Sequence, residues 1–195
     1  MKIVVVNYRI YNINVSLGGV MTERIEILLS EEEVDKRISE IGEQITKDYA
    51  GKDVHLICVL KGGSFFMCEL AKRINLEVSI DFMSVSSYGD DTKSSGVVKI
   101  VKDLDESIKD KHVIVVEDII DSGRTLSYLL QNLSDRKPAS LGLCTLLDKP
   151  ERRVVDVNVD YTGFQIPDEF VVGYGLDYAQ RYRTLPYIGI VRFDD

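Results

Sequence analysis

Residues 112–126, HVIVVEDIIDSGRTL, change chemical character twice over a short stretch. The adjacent acids Glu117 and Asp118 follow an apolar, β-branched run, and a third acid, Asp121, opens a small polar turn through Ser122 and Gly123 to Arg124 and Thr125. Carboxylates at the end of a buried strand are partly desolvated and need cations or hydroxyl donors as partners. Vicinal ribose hydroxyls, with or without a magnesium ion, meet that need. The turn offers the backbone amides of Asp121 to Thr125, and the hydroxyls of Ser122 and Thr125, at the start of a helix, which suits a terminal phosphate. Acids for a sugar beside a cradle for its phosphate suit one phosphorylated ribose.

Two further places carry similar chemistry. Lys61-Gly62-Gly63-Ser64 follows the apolar run Val54 to Leu60, and its glycines let backbone amides approach an anion. The polar stretch Ser86 to Gly96, SSYGDDTKSSG, separates two strand-like segments and is long enough to act as a lid.

These residues need elements to hold them. Val113 to Val116 reads as a strand covered on both faces and ended by the two acids; Leu126 to Leu133 repeats apolar residues at helical spacing. Ser30 with Glu33 forms a capping box, and Val34, Ile38, Ile41 and Ile45 continue a helix to about Tyr49. A helix over Phe65 to Ile74, strands over Val78 to Val85, Val97 to Val101 and Ser140 to Leu147, an extended run over Val154 to Val159, and strands over Phe170 to Val172 and Tyr187 to Val191 complete the outline. Strands alternating with helices predict an α/β fold with a mainly parallel central sheet. Ligands of such sheets sit beyond the carboxyl ends of the strands, where these acids, glycines and lysines collect. Residues 1–20 match the rest poorly and are expected to be an extension, disordered or an added edge strand, ahead of one domain over 21–195.

With 195 residues, 45% hydrophobic, the chain can bury a sizeable core. Its net charge of -8 argues against nucleic acid or an anionic membrane as partner. No apolar run approaches the ~20 residues of a membrane span, and the first residues lack a cleavage site, so neither a membrane span nor a signal peptide is expected; the odd, widely spaced cysteines suit a cytoplasmic protein. Cys58, Cys68 and Cys144 are expected to be buried and reduced, and His55 and His112 to be solvated strand-end residues.

VVEDIIDSGRTL resembles the phosphoribosyl-pyrophosphate loop of type I phosphoribosyltransferases, and its EDIIDSG form resembles the hypoxanthine-guanine branch. Leu60-Lys61-Gly62-Gly63, Ser87-Tyr88, Asp148-Lys149 and the segment from Phe170 through Asp177 to Arg183 follow in the family's order, so the resemblance runs from about Met21 to the end. It implies the type I phosphoribosyltransferase fold with a small hood from terminal segments. It also implies transfer of 5-phosphoribosyl from phosphoribosyl pyrophosphate to hypoxanthine or guanine, giving IMP or GMP and pyrophosphate, with Mg²⁺ as cofactor and a homodimer or homotetramer as assembly. By the same resemblance Glu117 and Asp118 hold the ribose hydroxyls and the metal shell, and Asp121, Ser122, Gly123, Arg124 and Thr125 form the 5-phosphate loop. Arg124 stands at a variable position and is expected to point outward. Lys61, Gly62 and Arg183 bind pyrophosphate, the peptide after Leu60 is cis, and Ser87 and Tyr88 close over the reacting centre. Lys149 donates to the 6-oxo group, Phe170 stacks on the base, Val171 meets its edge through the backbone, and Asp177 serves a second magnesium and lies near the base. Asp121 is the implied catalytic base. A helix N-terminus beside it favours negative charge, so it is expected to orient the purine and balance its charge as much as to remove a proton.

Three other readings fit the sequence less well. A xanthine-preferring enzyme differs only in how it treats the base. A nucleotide-responsive regulator on the same fold lacks support from a basic face or a helix-turn-helix. A phospho-receiver domain is disfavoured by chain length and by Gly123 in the second acid turn.

Overall fold

A computed structural model describes residues 12–14, 23–87 and 98–193. β1 (Asn12–Asn14) pairs antiparallel with β2 (Glu23–Leu29). Tyr88, most of the expected lid, and residues 1–11 and 15–20 of the expected extension lie outside the described residues, as does the side chain of Ser87.

α1 (Glu31–Asp48) starts at the expected capping box: the Glu33 amide donates to Ser30 Oγ at 3.2 Å and the Ser30 amide to Glu33 Oε2 at 2.9 Å. Its Val34, Ile38, Ile41 and Ile45 are buried. β3 (Val54–Leu60) leads into α2 (Ser64–Ala71), and β4 (Val78–Ser87) is followed by β5 (Val98–Lys102). β6 (His112–Ile120) precedes α3 (Arg124–Ser134), then β7 (Ser140–Asp148) and a single 3-10 turn at Pro150–Arg152. β8 (Tyr161–Gln165), β9 (Val171–Val172) and β10 (Ile188–Phe193) finish the chain.

The large sheet has the order β5-β4-β3-β6-β7-β8, parallel except for β5 at one edge. Its two faces are legible in strand alternation. Leu56 and Cys58 of β3, with Ile114 and Val116 of β6, join the core under α1 and α2; Ile57, Val59, Val113 and Val115 join the core under α3. The expected mainly parallel α/β sheet is therefore present, covered on both faces. A smaller sheet, β1-β2-β10-β9, is antiparallel and built from terminal strands.

Several sequence expectations need correction. β6 does not end at the acids: it runs to Ile120, because Glu117, Ile119 and Ile120 keep pairing with Thr145, Leu147 and Asp148 of an equally long β7. α2 stops at Ala71 rather than Ile74, although Ile74 is buried. The 154–159 run joins no ladder; the amides of Val154 and Val155 donate to the Ser122 carbonyl instead, at 3.0 Å each. His55 is buried, not solvated, with Nδ1 2.7 Å from Ser79 Oγ, and burial pushes its imidazole down. Cys68 is exposed, because it lies on the outer side of α2, while Cys58 and Cys144 are buried.

Candidate active site

The parallel pairing of β3 with β6 and of β6 with β7 brings three strand ends side by side. Each carries a sequence-predicted group: Lys61-Gly62 after β3, Glu117 and Asp118 near the end of β6, Lys149 after β7. The Lys149 amide donates to the Ile120 carbonyl at 3.0 Å, which fixes the third end to the second.

In the middle, Glu117 and Asp118 are adjacent near the end of β6. Glu117 Oε2 is buried with no hydrogen-bond partner, and burial, with the adjacent Asp118 charge, pushes this carboxyl well above its usual range. Burial also pushes Asp118 up to about 6, with the Asp177 charge adding to the rise; bonds from backbone amides, including Ile119 N at 2.9 Å, and the charge of Arg183 oppose it. Buried acid oxygens without a cation or donor are what a metal ion or sugar hydroxyls complete. The donor set fits magnesium in that respect. Among the described residues no three metal-type side chains converge, so such an ion would take most of its ligands from substrate and water. Asp177 is less free: its Oδ1 pairs with Arg183 at 2.7 Å and its Oδ2 accepts the Gln180 amide at 2.7 Å.

Beyond β6 the chain turns through Asp121 and Ser122 to Gly123, whose φ of +80° is the left-handed conformation that glycine tolerates. Space demands glycine too, since a β-carbon here would lie 2.6 Å from the Val155 carbonyl. Gly123 is the N-cap of α3 and brings no side chain to cap it; the Arg124 amide makes a long bond to Ser122 Oγ at 3.5 Å, and the next amides of the first turn face a ligand. Starting at Arg124, the helix begins earlier than its apolar pattern indicates; Arg124 is exposed, as expected.

On one flank, the Leu60–Lys61 peptide is cis and Gly62 packs against the 173–183 segment: a β-carbon on Gly175 would lie 2.0 Å from the Gly62 carbonyl. Lys61 Nζ and Arg183 Nη2 both donate to Gln180 Oε1, at 3.3 and 3.2 Å, so two cations converge on one amide oxygen. Arg183 Nη1 also donates to the Gly175 carbonyl at 2.7 Å. Ala179, Gln180 and Tyr182 all have positive φ, an uncommon backbone for such residues that tertiary contacts must hold.

On the other flank, Lys149 Nζ lies 3.6 Å from Asp168 Oδ1, and Arg152 bridges Asp168 Oδ2 at 3.5 Å and Asp121 Oδ1 at 3.0 Å. Phe170 is 51% exposed, with its ring perpendicular to that of Tyr178 at 5.6 Å. Val171 is buried in β9 and pairs with Ile190. The sequence reading missed Gln180, Asp168 and Arg152. Nothing in their local pattern marks them; they matter through partners distant in sequence.

Known proteins share this mainly parallel sheet. The model of the phosphoribosyl transferase domain matches residues 25–179, and the chain belongs to that family. It is 55% identical over 175 residues to the hypoxanthine phosphoribosyltransferase of Buchnera aphidicola subsp. Schizaphis graminum, covering 89% of this chain and 99% of that protein. It is 53% identical over 167 residues to the hypoxanthine-guanine phosphoribosyltransferase of Streptococcus thermophilus, covering 86% and 93% respectively. The crystal structure of a hypoxanthine phosphoribosyltransferase from Staphylococcus aureus superposes with a TM-score of 0.83 at 51% identity, covering 86% of this chain and 91% of that one.

Proposed function

We propose that the protein transfers 5-phosphoribosyl from phosphoribosyl pyrophosphate to hypoxanthine or guanine, forming IMP or GMP and releasing pyrophosphate. One observation carries this best: Asp118 lies against Gly62 on one side, and the Lys149 amide bonds the Ile120 carbonyl on the other. The acids are thus the middle of a row with an anion-binding end and a base-binding end.

Glu117 and Asp118 take the ribose hydroxyls, which supply the donor that Glu117 Oε2 lacks. The amides and hydroxyls from Asp121 to Thr125 hold the 5-phosphate at the start of α3. Lys61, Gly62 and Arg183 receive the pyrophosphate; the two side-chain cations exchange Gln180 Oε1 for phosphate oxygens. Glu117, Asp118 and Asp177 are the residues that would hold magnesium, which would supply positive charge for the departing pyrophosphate. Phe170 stacks on the purine and the Val171 backbone meets its edge. Lys149 donates to the 6-oxo group, which disfavours adenine because an amino group is itself a donor.

Asp121 orients the purine and accepts its ring proton as positive charge develops on the sugar. Ser87 and Tyr88 close over that centre and exclude water. The partners are these substrates and products, with a homodimer or homotetramer as the assembly and neither nucleic acid nor membrane involved. A cytoplasmic location agrees with two buried free thiols, and no helix of the described residues is long and apolar enough to cross a membrane. Incubation with phosphoribosyl pyrophosphate, Mg²⁺ and hypoxanthine should yield IMP and pyrophosphate in equal amounts. Pyrophosphate without nucleotide would contradict transfer to the base.

A further inference from the structure

Four side chains on the purine flank alternate in charge: Asp121, Arg152, Asp168 and Lys149. Their backbones come from different places, namely the turn after β6, the 3-10 turn after β7, and the stretch between β8 and β9. Arg152 is the only side chain among the described residues paired with both acids, through Nε to Asp121 Oδ1 and through Nη1 to Asp168 Oδ2. We propose that Arg152 is a positioning residue of the purine site, clamping Asp121 directly and Lys149 by way of Asp168. The proposal rests on the assignment of Asp121 and Lys149 to the purine.

The geometry suits that task. Arg152 engages Asp121 through one oxygen only, and among the described residues Asp121 Oδ2 takes no hydrogen bond, so it stays available to a ring proton. A planar guanidinium offers donors in fixed directions and can span two carboxylates; an ammonium is a single point of charge. Asp168 divides its oxygens between Arg152 and Lys149. Without Arg152, Asp168 is free to draw the Lys149 ammonium wholly to itself and off the 6-oxo group. The bland alternative is a pair of ordinary surface ion pairs. Arg152, Asp121 and Asp168 have side chains 52%, 47% and 45% exposed, and ion pairs at such exposure add little to stability. Backbone bonds already hold the segment, through Lys149 N to Ile120 O and Arg152 N to Lys149 O. What the guanidinium adds is the relative placement of an acceptor and a donor on opposite edges of one ligand.

The test compares wild type with Arg152→Gln, Arg152→Lys, Asp168→Asn and the Arg152→Gln/Asp168→Asn double variant. Steady-state constants are measured for hypoxanthine and for phosphoribosyl pyrophosphate, with thermal melting as a check on folding. Arg152→Gln should lower kcat/KM for hypoxanthine by about ten- to hundredfold while KM for phosphoribosyl pyrophosphate stays within about twofold and the melting temperature holds. Arg152→Lys should recover only part of the loss. The double variant should be little worse than Arg152→Gln alone, because both changes break one bridge. Unaltered hypoxanthine kinetics in Arg152→Gln, equal losses toward both substrates, or additive losses in the double variant overturn the clamp while wild-type turnover keeps the proposed function. A wild type without turnover overturns the proposed function, and the clamp with it.

Discussion

Gly62 and Asp118 belong to different strand ends, yet a β-carbon on Gly62 would stand 1.6 Å from Asp118 Oδ2. The clash is with a carboxylate at the centre of the proposed row of subsites, and it cannot be relieved without moving the acid or the loop. Gly62→Ala should therefore cut kcat/KM by about a hundredfold, with a stability loss of only about 1–2 kcal/mol. Kinetics and urea denaturation on the same preparation check both numbers. Activity near wild type would mean that Asp118 has room to move without consequence.

Asp118 also sets a pH dependence. Its carboxyl is raised to about 6 in the folded protein, mainly by burial, so between the ordinary carboxylate range and about 6 the folded chain binds a proton that the unfolded chain has released. Stability from this group is fully present at the acid end and is lost as pH rises through about 6. Glu117, also raised, acts in the same sense. Glu69 and Asp103, lowered by their arginine and lysine partners, act in the opposite sense at lower pH, so the whole-protein curve mixes both. The difference between Asp118→Asn and wild type isolates the first effect: without Mg²⁺ or substrate, the stabilisation by Asn should grow between about pH 4 and pH 7. Melting curves across that range measure it, and a constant difference would refute it.

Asp121→Asn keeps the shape of the side chain and its bond-accepting oxygen but removes the negative charge. Turnover should fall by about a hundredfold or more with KM for both substrates changed only a few fold, since the charge matters most as the sugar becomes cationic. Equal losses in kcat and in affinity would place Asp121 in ground-state binding instead.

Ile45 is fully buried in α1, far along the helix from the strand ends that carry the site. Ile45→Ala should cost about 2–5 kcal/mol in urea unfolding while kcat of the folded fraction remains unchanged. A parallel loss of kcat would tie this core to the chemistry.

Some of this architecture was open to reading from the chain alone. Ser30 and Glu33 announce α1, and the uniform apolar runs of β3 and β6 announce buried parallel strands, because capping and periodicity are local properties. β2 and β8 were missed: ERIEILL mixes charges with its apolar residues, and YTGFQ is short with a central glycine, so neither stands out without its neighbours. The end of β6 was misjudged because acids suggest exposure, whereas pairing with β7 carries the strand past them. Glu117, Asp118 and Gly123 could be singled out because their types and spacing suit phosphate and sugar chemistry, and Lys149 through the family resemblance. Gln180, Asp168 and Arg152 were not, since each gains its place from a positive φ or an ion pair that only the fold creates.

In the proposed reaction one row of subsites joins phosphoribosyl pyrophosphate to a 6-oxopurine. Initial rates with hypoxanthine, guanine, xanthine and adenine, at saturating phosphoribosyl pyrophosphate and Mg²⁺, test it most directly. Turnover with hypoxanthine and guanine is expected, with kcat/KM for adenine lower by about a thousandfold or more, since Lys149 would face a donor. No turnover with any of the four bases, or a preference for adenine, would contradict it.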